Sequence, residues 1–70
     1  MFRKSWWLEI STNSPSCVYY FGPFSSQREA LQNQSGYVDD LEQEGGEVLQ
    51  ISVARRQAPV KFTVEYPRAA

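Results

Sequence analysis

Apolar and polar positions alternate near the start of the chain, as they do in a strand with one buried face. Trp6, Leu8 and Ile10 fall on one side, and Trp7 is the one large apolar residue on the other. Residues 12–16 are turn formers, and an unbroken aromatic and β-branched run, Cys17–Phe21, follows them. The pattern predicts an antiparallel hairpin, with a first strand that begins near Lys4 and ends near Ser11.

A tight corner and the start of a helix are predicted after the second strand. Gly22 and Pro23 predict that the strand ends, because Gly permits unusual backbone angles and Pro removes a hydrogen-bond donor. Ser26 and Glu29 have the spacing of a capping box, in which each side chain accepts a bond from the other residue's backbone N–H.

Apolar residues then recur at helical spacing from residue 27 to residue 45. The stripe predicted to face the core consists of Ala30, Leu31, Tyr37, Val38 and Leu41. Poor helix formers at residues 33–36 predict a kink or a short break within this segment, and two glycines predict its end.

Two further alternating stretches complete the pattern. The stretch 47–55 places Leu49, Ile51 and Val53 on one side, with Val48 and Ala54 assigned to the other. The stretch 60–66 alternates cleanly, and its apolar positions are Val60, Phe62, Val64 and Tyr66. Together these stretches predict a second hairpin.

The predicted fold is therefore α+β. Its order is ββ-α-ββ, with a kinked or broken helical segment packed on one face of a four-stranded, mostly antiparallel sheet. A chain of 70 residues has room for one domain, with an ordered core over about 4–66 and a frayed tail at 67–70. The predicted core residues are Leu8, Ile10, Tyr19, Ala30, Leu41, Ile51 and Phe62.

Composition narrows the chemistry that this domain is predicted to perform. One Cys excludes an intramolecular disulfide, and the absence of His excludes a His/Cys zinc cluster. The spacing of residues indicates no nucleophile–base pair, and the acids Asp39, Asp40, Glu42 and Glu44 are typical of a solvated helix face. The sequence therefore predicts a domain that is not an enzyme and has no cofactor and no bound metal.

The chain has no apolar run near the ~20 residues that cross a bilayer, so no membrane association is predicted. The N-terminal apolar stretch is too short for a signal peptide, which predicts a cytoplasmic protein. The net charge is −1, with five acids in the window 39–47 and most bases outside it. This segregation predicts one acidic and one basic surface.

A candidate binding surface follows from the large apolar residues on both faces of the first hairpin. It consists of Trp7, Val18 and Tyr20 on the face opposite the core, together with the basic residues Arg55, Arg56 and Lys61. Two interpretations of the apolar face stay open. Either it is an exposed binding surface, or the segment around Phe2 or the C-terminal tail covers it.

We expect a non-enzymatic protein-interaction module that binds an unidentified protein partner through this aromatic face or an open sheet edge. The protein itself is expected to be a monomer or a weak homodimer. The alternative is a single-stranded nucleic-acid binder, with Trp7 and Tyr20 as stacking platforms. Its phosphate contacts would be the basic residues Arg3, Lys4, Arg55 and Arg56. The acidic helix disfavours it, because it would repel the nucleic-acid backbone.

The double Trp at residues 6–7 and the motif Cys-x-Tyr-Tyr-Phe-Gly-Pro-Phe at residues 17–24 resemble a family of very small cyanobacterial proteins of unknown function. The likeness spans about residues 3–53 and implies no established activity. Residues 20–30 also look like the strand-to-helix corner of the sporulation-related-repeat domain, which binds peptidoglycan strands. This shorter likeness is an analogy of fold.

Overall fold

Four strands and one helix make up the part of the chain that the computed structural model describes, residues 3–13 and 16–65. Strands β1 (Lys4–Asn13), β2 (Cys17–Phe24), β3 (Glu47–Gln57) and β4 (Thr63–Glu65) form one antiparallel sheet. Helix α1 (Gln27–Gln43) packs on one face of it. The predicted α+β fold is confirmed, whereas Phe2, Tyr66 and the predicted frayed tail lie outside the described residues.

The core lies between helix α1 and the helix-facing side of the sheet. Leu8, Phe24 and Ala30 form its buried centre. Half-buried residues from all three long strands and the helix pack around that centre: Trp6, Phe21, Tyr37, Ile51 and Val53. Most of the predicted core is therefore correct, since Leu8, Ile10, Ala30 and Leu41 are buried and Tyr19 and Ile51 are half-buried.

The prediction for Phe62 is wrong. Its side chain is 59% exposed and lies on the opposite face of the sheet, where it stacks on Trp7. Val60, predicted to share its inward face, is fully exposed. The reason is the register of β4 on β2. Val64 pairs with Val18 on the face opposite the helix, and Phe62, whose carbonyl accepts a bond from the Tyr20 N–H, lies on the same face as Val64.

Strand β2 continues through Gly22 and Pro23, where the sequence predicts that it ends. Phe24 pairs with Trp6, and Phe21 pairs with Leu8, so β2 carries one more residue than β1 over this interval. The extra residue is a β-bulge, which disturbs the ladder locally and increases its twist. The peptide bond between Gly22 and Pro23 is cis, and Gly22 has φ of 152°. The bulge lets β2 reach Phe24, which is buried against the helix.

A second bulge changes which residues of β3 face the helix. Ser11 pairs with Gln50 and Thr12 pairs with Val48, so Leu49 is the extra residue. Beyond the bulge Val48 shares the helix-facing side with Thr12, and Leu49 is 61% exposed. The prediction that Leu49 points inward and Val48 outward is therefore wrong, because a one-residue insertion reverses the alternation.

The sheet order is β3-β1-β2-β4, which contradicts the predicted second hairpin. Strand β4 pairs with β2 at the far edge of the sheet and not with β3, which precedes it in the chain. Residues 58–62 therefore cross the face of the sheet that lies opposite the helix. We call this the outer face. Pro59 in the crossing segment is buried.

Helix α1 runs without a break through Gly36 and ends at Gln43, two residues before the predicted end. Leu41 on the predicted stripe is buried, whereas Leu31 is 51% exposed. Successive residues on a helix turn by about 100°, so Leu31 lies at the border of the stripe and only the residues nearer its centre meet the sheet. No helix in the described part of the chain is long and apolar enough to cross a membrane.

The helix begins at a cap that differs slightly from the predicted capping box. The Ser26 hydroxyl accepts a hydrogen bond from the Glu29 backbone N–H at 3.1 Å, as predicted. The Glu29 carboxylate, however, accepts bonds from the hydroxyl and the backbone N–H of Ser25, one residue before the predicted partner.

These two bonds, the hydroxyl first, hold the pKa of the Glu29 carboxyl below its ordinary value. Because the pKa is lowered in the folded state, these bonds stabilise the fold at pH values above the ordinary carboxyl pKa. This stabilisation is lost as the pH falls through the lowered pKa of the folded state.

We expect the substitution Ser26→Ala to lower the free energy of unfolding by about 1 kcal/mol, because the first turn of the helix loses its cap. The matched control is Ser35→Ala at an exposed position inside the same helix, where the change should stay within about 0.5 kcal/mol. Urea unfolding followed by circular dichroism measures both. Equal stability of the two variants would contradict a capping role for Ser26.

Candidate functional site

Trp7 is buried on the outer face, where the sequence leaves open whether the aromatic surface is exposed or covered. Only 2% of its side chain is exposed. One side of the indole lies against Gly22, since a Cβ built there would come within 2.8 Å of Trp7 Cε3. Phe62 stacks on the ring, with the centroids 5.8 Å apart and the planes at 18°. Trp7 is thus part of a small second core and is not available as a stacking platform.

The indole N–H of Trp7 has no hydrogen-bond acceptor within the described residues. A buried donor without an acceptor costs about 1–3 kcal/mol, which the packing of the indole offsets. The position of Trp7 is therefore determined by packing against Gly22 and Phe62 and not by a polar contact.

The other aromatic residue of the predicted surface, Tyr20, is half-buried and has a basic neighbour. The Arg56 guanidinium lies 5.1 Å from the centroid of the Tyr20 ring, a cation–π distance. Arg56 also donates from Nε to the Gln57 carbonyl at 3.0 Å. Val18, the third apolar member, is 8% exposed and pairs with Val64 of β4.

The basic members of the predicted surface do not form one patch. Arg55 pairs with Trp6 of β1 and Arg56 with Ser5, so the two arginines lie on opposite faces of the sheet. Lys61 is exposed on the crossing segment. Of the six predicted site residues, the structure brings only Tyr20 and Arg56 into a described contact.

Of the two interpretations left open, the covered face is the one observed at Trp7 and Val18. Among the described residues, Phe62 at the end of the crossing segment lies on Trp7. The two covers considered from the sequence, the Phe2 segment and the C-terminal tail, lie outside the described residues. The alternation of the sequence indicates which residues share a face, but it carries no information on which later segment crosses that face.

An open groove of about 320 Å³ lies beside this small core, along the free edge of β2. Its walls come from both faces of the sheet and from the helix. None of its lining residues is charged, and five of the seven are aromatic: Tyr19, Tyr20, Phe21, Gly22, Tyr37, Phe62 and Thr63. We call this the β2 groove.

The β2 groove exists because β4 is short. Its three residues pair with Cys17, Val18 and Tyr19 of β2. The last bond on this edge runs from the Tyr20 N–H to the Phe62 carbonyl, at 2.7 Å. From Phe21 onward, β2 has no neighbouring strand on that side within the described residues.

Stacked rings form the helix-facing wall of the groove. Phe21 and Tyr37 stack with their centroids 4.1 Å apart, and Tyr19 stacks on Phe21 at 6.3 Å. Phe24 meets the edge of Tyr37 at 6.3 Å. Since each ring is held by its neighbours, the wall is formed before any ligand enters.

The described residues offer little to bind a metal or to activate a nucleophile. Among residues 3–13 and 16–65, no three His, Cys, Asp or Glu side chains lie close enough to hold a metal ion. Cys17 is a free thiol, and it is buried. The acids Asp39, Asp40 and Glu42 on the helix, and Glu44 directly after it, are exposed, as the pattern predicts.

The sequence-based site prediction does not include several of the groove residues. The spacing of apolar residues assigns three of them to the core: Tyr19, Tyr37 and Phe62. The sequence assigns Gly22 to a corner. The one signal in the sequence that marks their common location is the motif of residues 17–24, which concentrates aromatic residues next to a Gly. Their assembly into a groove needs the crossing of residues 58–62, which the pattern does not show.

No curated protein and no solved structure matches this chain. A family model described as a domain of unknown function, DUF1816, matches residues 1–64. The match confirms the expected membership of a family of unknown function, while a cyanobacterial origin stays a prediction. Because the match covers nearly the whole chain, the protein belongs to the DUF1816 family.

Proposed function

We propose that this domain is a protein-interaction module that binds an extended, uncharged peptide segment in the β2 groove. The observation that carries the proposal is the free edge of β2 beyond Tyr20, next to a preformed aromatic wall. An added strand would hydrogen-bond to this edge at Gly22, since Pro23 has no N–H to donate, and alternate side chains of the peptide would enter the groove. Catalysis plays no part in this proposal.

The uncharged, mostly aromatic lining of the groove favours an uncharged peptide. Its lining residues are aromatic or small and none is charged, so buried charges on a peptide would stay unpaired and costly. A volume of about 320 Å³ is at the lower end of ligand pockets and fits one or two apolar side chains.

The nucleic-acid alternative loses support, since one of its two stacking residues, Trp7, is buried and its arginines lie on opposite faces of the sheet. A cytoplasmic location and a non-enzymatic role stay predictions from the sequence.

The first test is a selection from a random library of peptides of about eight residues, long enough to form a strand. We expect enriched peptides with apolar residues at alternate positions and no charge between them. In a ¹H–¹⁵N correlation spectrum, the selected peptide should shift the amide signals of Phe21, Gly22 and Thr63. Failure to enrich any peptide, or shifts confined to another surface, would overturn the proposal.

A pair of charge substitutions separates groove binding from a general effect of charge. Thr63→Glu places a carboxylate at an exposed position in the groove, and Gln50→Glu places one at an exposed position on the other side of the sheet. We expect Thr63→Glu to weaken the selected peptide about tenfold and Gln50→Glu to leave it unchanged. Competition by single-stranded DNA for the same amides would favour the alternative function instead.

A further inference from the structure

Among the described residues, strand β3 is an open edge of the sheet along its whole length. It has eleven residues, pairs with β1 on one side, and ends the strand order β3-β1-β2-β4. No described element pairs with its other side. An unpaired row of backbone N–H and C=O groups of this length is a template for another strand. It lies at the opposite edge of the sheet from the β2 groove.

The ends of β3 carry opposite charges. Glu47 begins the strand, and Arg55 and Arg56 stand near its end. Between them lie the half-buried apolar residues Ile51 and Val53. When such a strand meets a second copy of itself in the antiparallel direction, the acidic end of each copy lies beside the basic end of the other. The charge distribution therefore favours a second copy of this chain over an unrelated strand.

The bulge at Leu49 decides which charges meet. Glu47 pairs with Asn13 and Arg56 pairs with Ser5, and both partners lie on the outer face of β1. Glu47 and Arg56 therefore share the outer face, although nine positions separate them and a regular strand would place them on opposite faces. Arg55 lies on the helix-facing side, which excludes it as a direct partner of Glu47 in a continuous sheet.

We propose that two copies of this chain associate through their β3 strands, antiparallel and centred on Ser52, to give one continuous eight-stranded sheet. In this register Ile51 of each copy lies opposite Val53 of the other. Beyond the bulge, Glu47 of each copy lies opposite Arg56 of the other. Each Arg56 guanidinium, which lies over the Tyr20 ring in the single chain, turns to the partner's Glu47, so the two-fold axis produces two ion pairs. The contact is self-complementary and closes on itself, so it ends at a dimer and does not continue into a fibre.

The bulge and the two arginines also disfavour pairing of the β3 edge with strands other than β3 of a second copy. The bulge and the adjacent arginines are devices that discourage indiscriminate pairing of edge strands. A partner strand without an acid near the position of Glu47 leaves Arg56 opposite a neutral or like-charged residue. One strand from each copy makes a small interface, so the dimer is weak and depends on concentration.

Sedimentation equilibrium over a range of concentrations, combined with charge reversal, tests this dimer. We expect Glu47→Arg and Arg56→Glu each to weaken dimerisation about tenfold, and the double variant to recover it. Thr63→Glu in the β2 groove should have no effect, which separates this interface from the peptide site. A chain that is monomeric up to about 1 mM, or a double variant no better than the single variants, overturns the proposal.

Cross-linking tests the register directly, because the chain has one cysteine, Cys17, and it is buried. Ser52→Cys places a thiol at the proposed two-fold axis, where each thiol meets its counterpart. Under mild oxidation we expect a covalent dimer from Ser52→Cys and far less from the control Lys61→Cys, whose side chain is exposed on the crossing segment. Equal cross-linking of the two variants contradicts the register, and with it the proposed interface.

Discussion

Gly22→Ala is expected to lower the free energy of unfolding by about 3 kcal/mol or more, one of the two largest effects in this domain. The added Cβ would lie 2.8 Å from Trp7 Cε3 and 3.0 Å from the Trp6 carbonyl oxygen. Trp7 is buried and Phe62 stacks on its ring, so the indole has little room to move away. The backbone angle φ of 152° at Gly22 adds strain for any residue with a side chain.

Substitutions at two other glycines distinguish the backbone strain at Gly22 from the collision with Trp7. Gly45 has φ of 90° and no atom within 4 Å of a built Cβ, so Gly45→Ala introduces backbone strain without a collision. Gly36 lies in the helix with open space around it, and Gly36→Ala should raise stability by about 1 kcal/mol. Thermal unfolding of the three variants should rank Gly22→Ala lowest. A Gly22→Ala protein that melts with Gly45→Ala would show that Trp7 does not press on Gly22.

Leu41→Ala is expected to cost about 2–5 kcal/mol, because it removes a buried side chain from the helix and leaves a cavity. Only 6% of Leu41 is exposed. In a 70-residue domain such a loss is a large part of the total stability.

The matched control is Leu31→Ala, the same substitution in the same helix at a position that is 51% exposed. Both changes alter helix propensity equally, so the difference between them reports burial. We expect Leu31→Ala to stay within about 0.5–1 kcal/mol of the parent in urea unfolding. Similar losses for the two variants would mean that the helix packs on the sheet through a different face.

The candidate site was predictable from the sequence only in part. The concentration of aromatic residues around Tyr20 and Gly22 marks the region correctly, since four groove residues come from the stretch 19–22. The exposure of Trp7, which the sequence leaves open, depends on a segment more than fifty residues later in the chain. Burial of a side chain is a property of everything packed around it, and alternation reports only its direction relative to its own strand.

Local features of the structure follow from the sequence alone. The alternation around Leu8 and Ile10 determines β1, and the helical spacing of Ala30 and Leu41 determines the helix and its buried side. Ser26 determines where the helix begins, because its hydroxyl satisfies a backbone N–H three residues away. These features depend on residues close together in the chain, so short-range geometry and burial are enough to specify them.

The tertiary structure alone decides where β4 pairs and what covers Trp7. An alternating stretch such as residues 63–65 can pair with either open edge, and its pattern is equally satisfied beside β3 or beside β2. The two bulges are likewise invisible in the pattern, although the one at Leu49 reverses the faces of residues 47 and 48. Long-range packing decides the position of β4 and the cover over Trp7 together. When β4 lies beside β2, the crossing segment places Phe62 on Trp7. This contact buries an indole that the hairpin by itself leaves exposed.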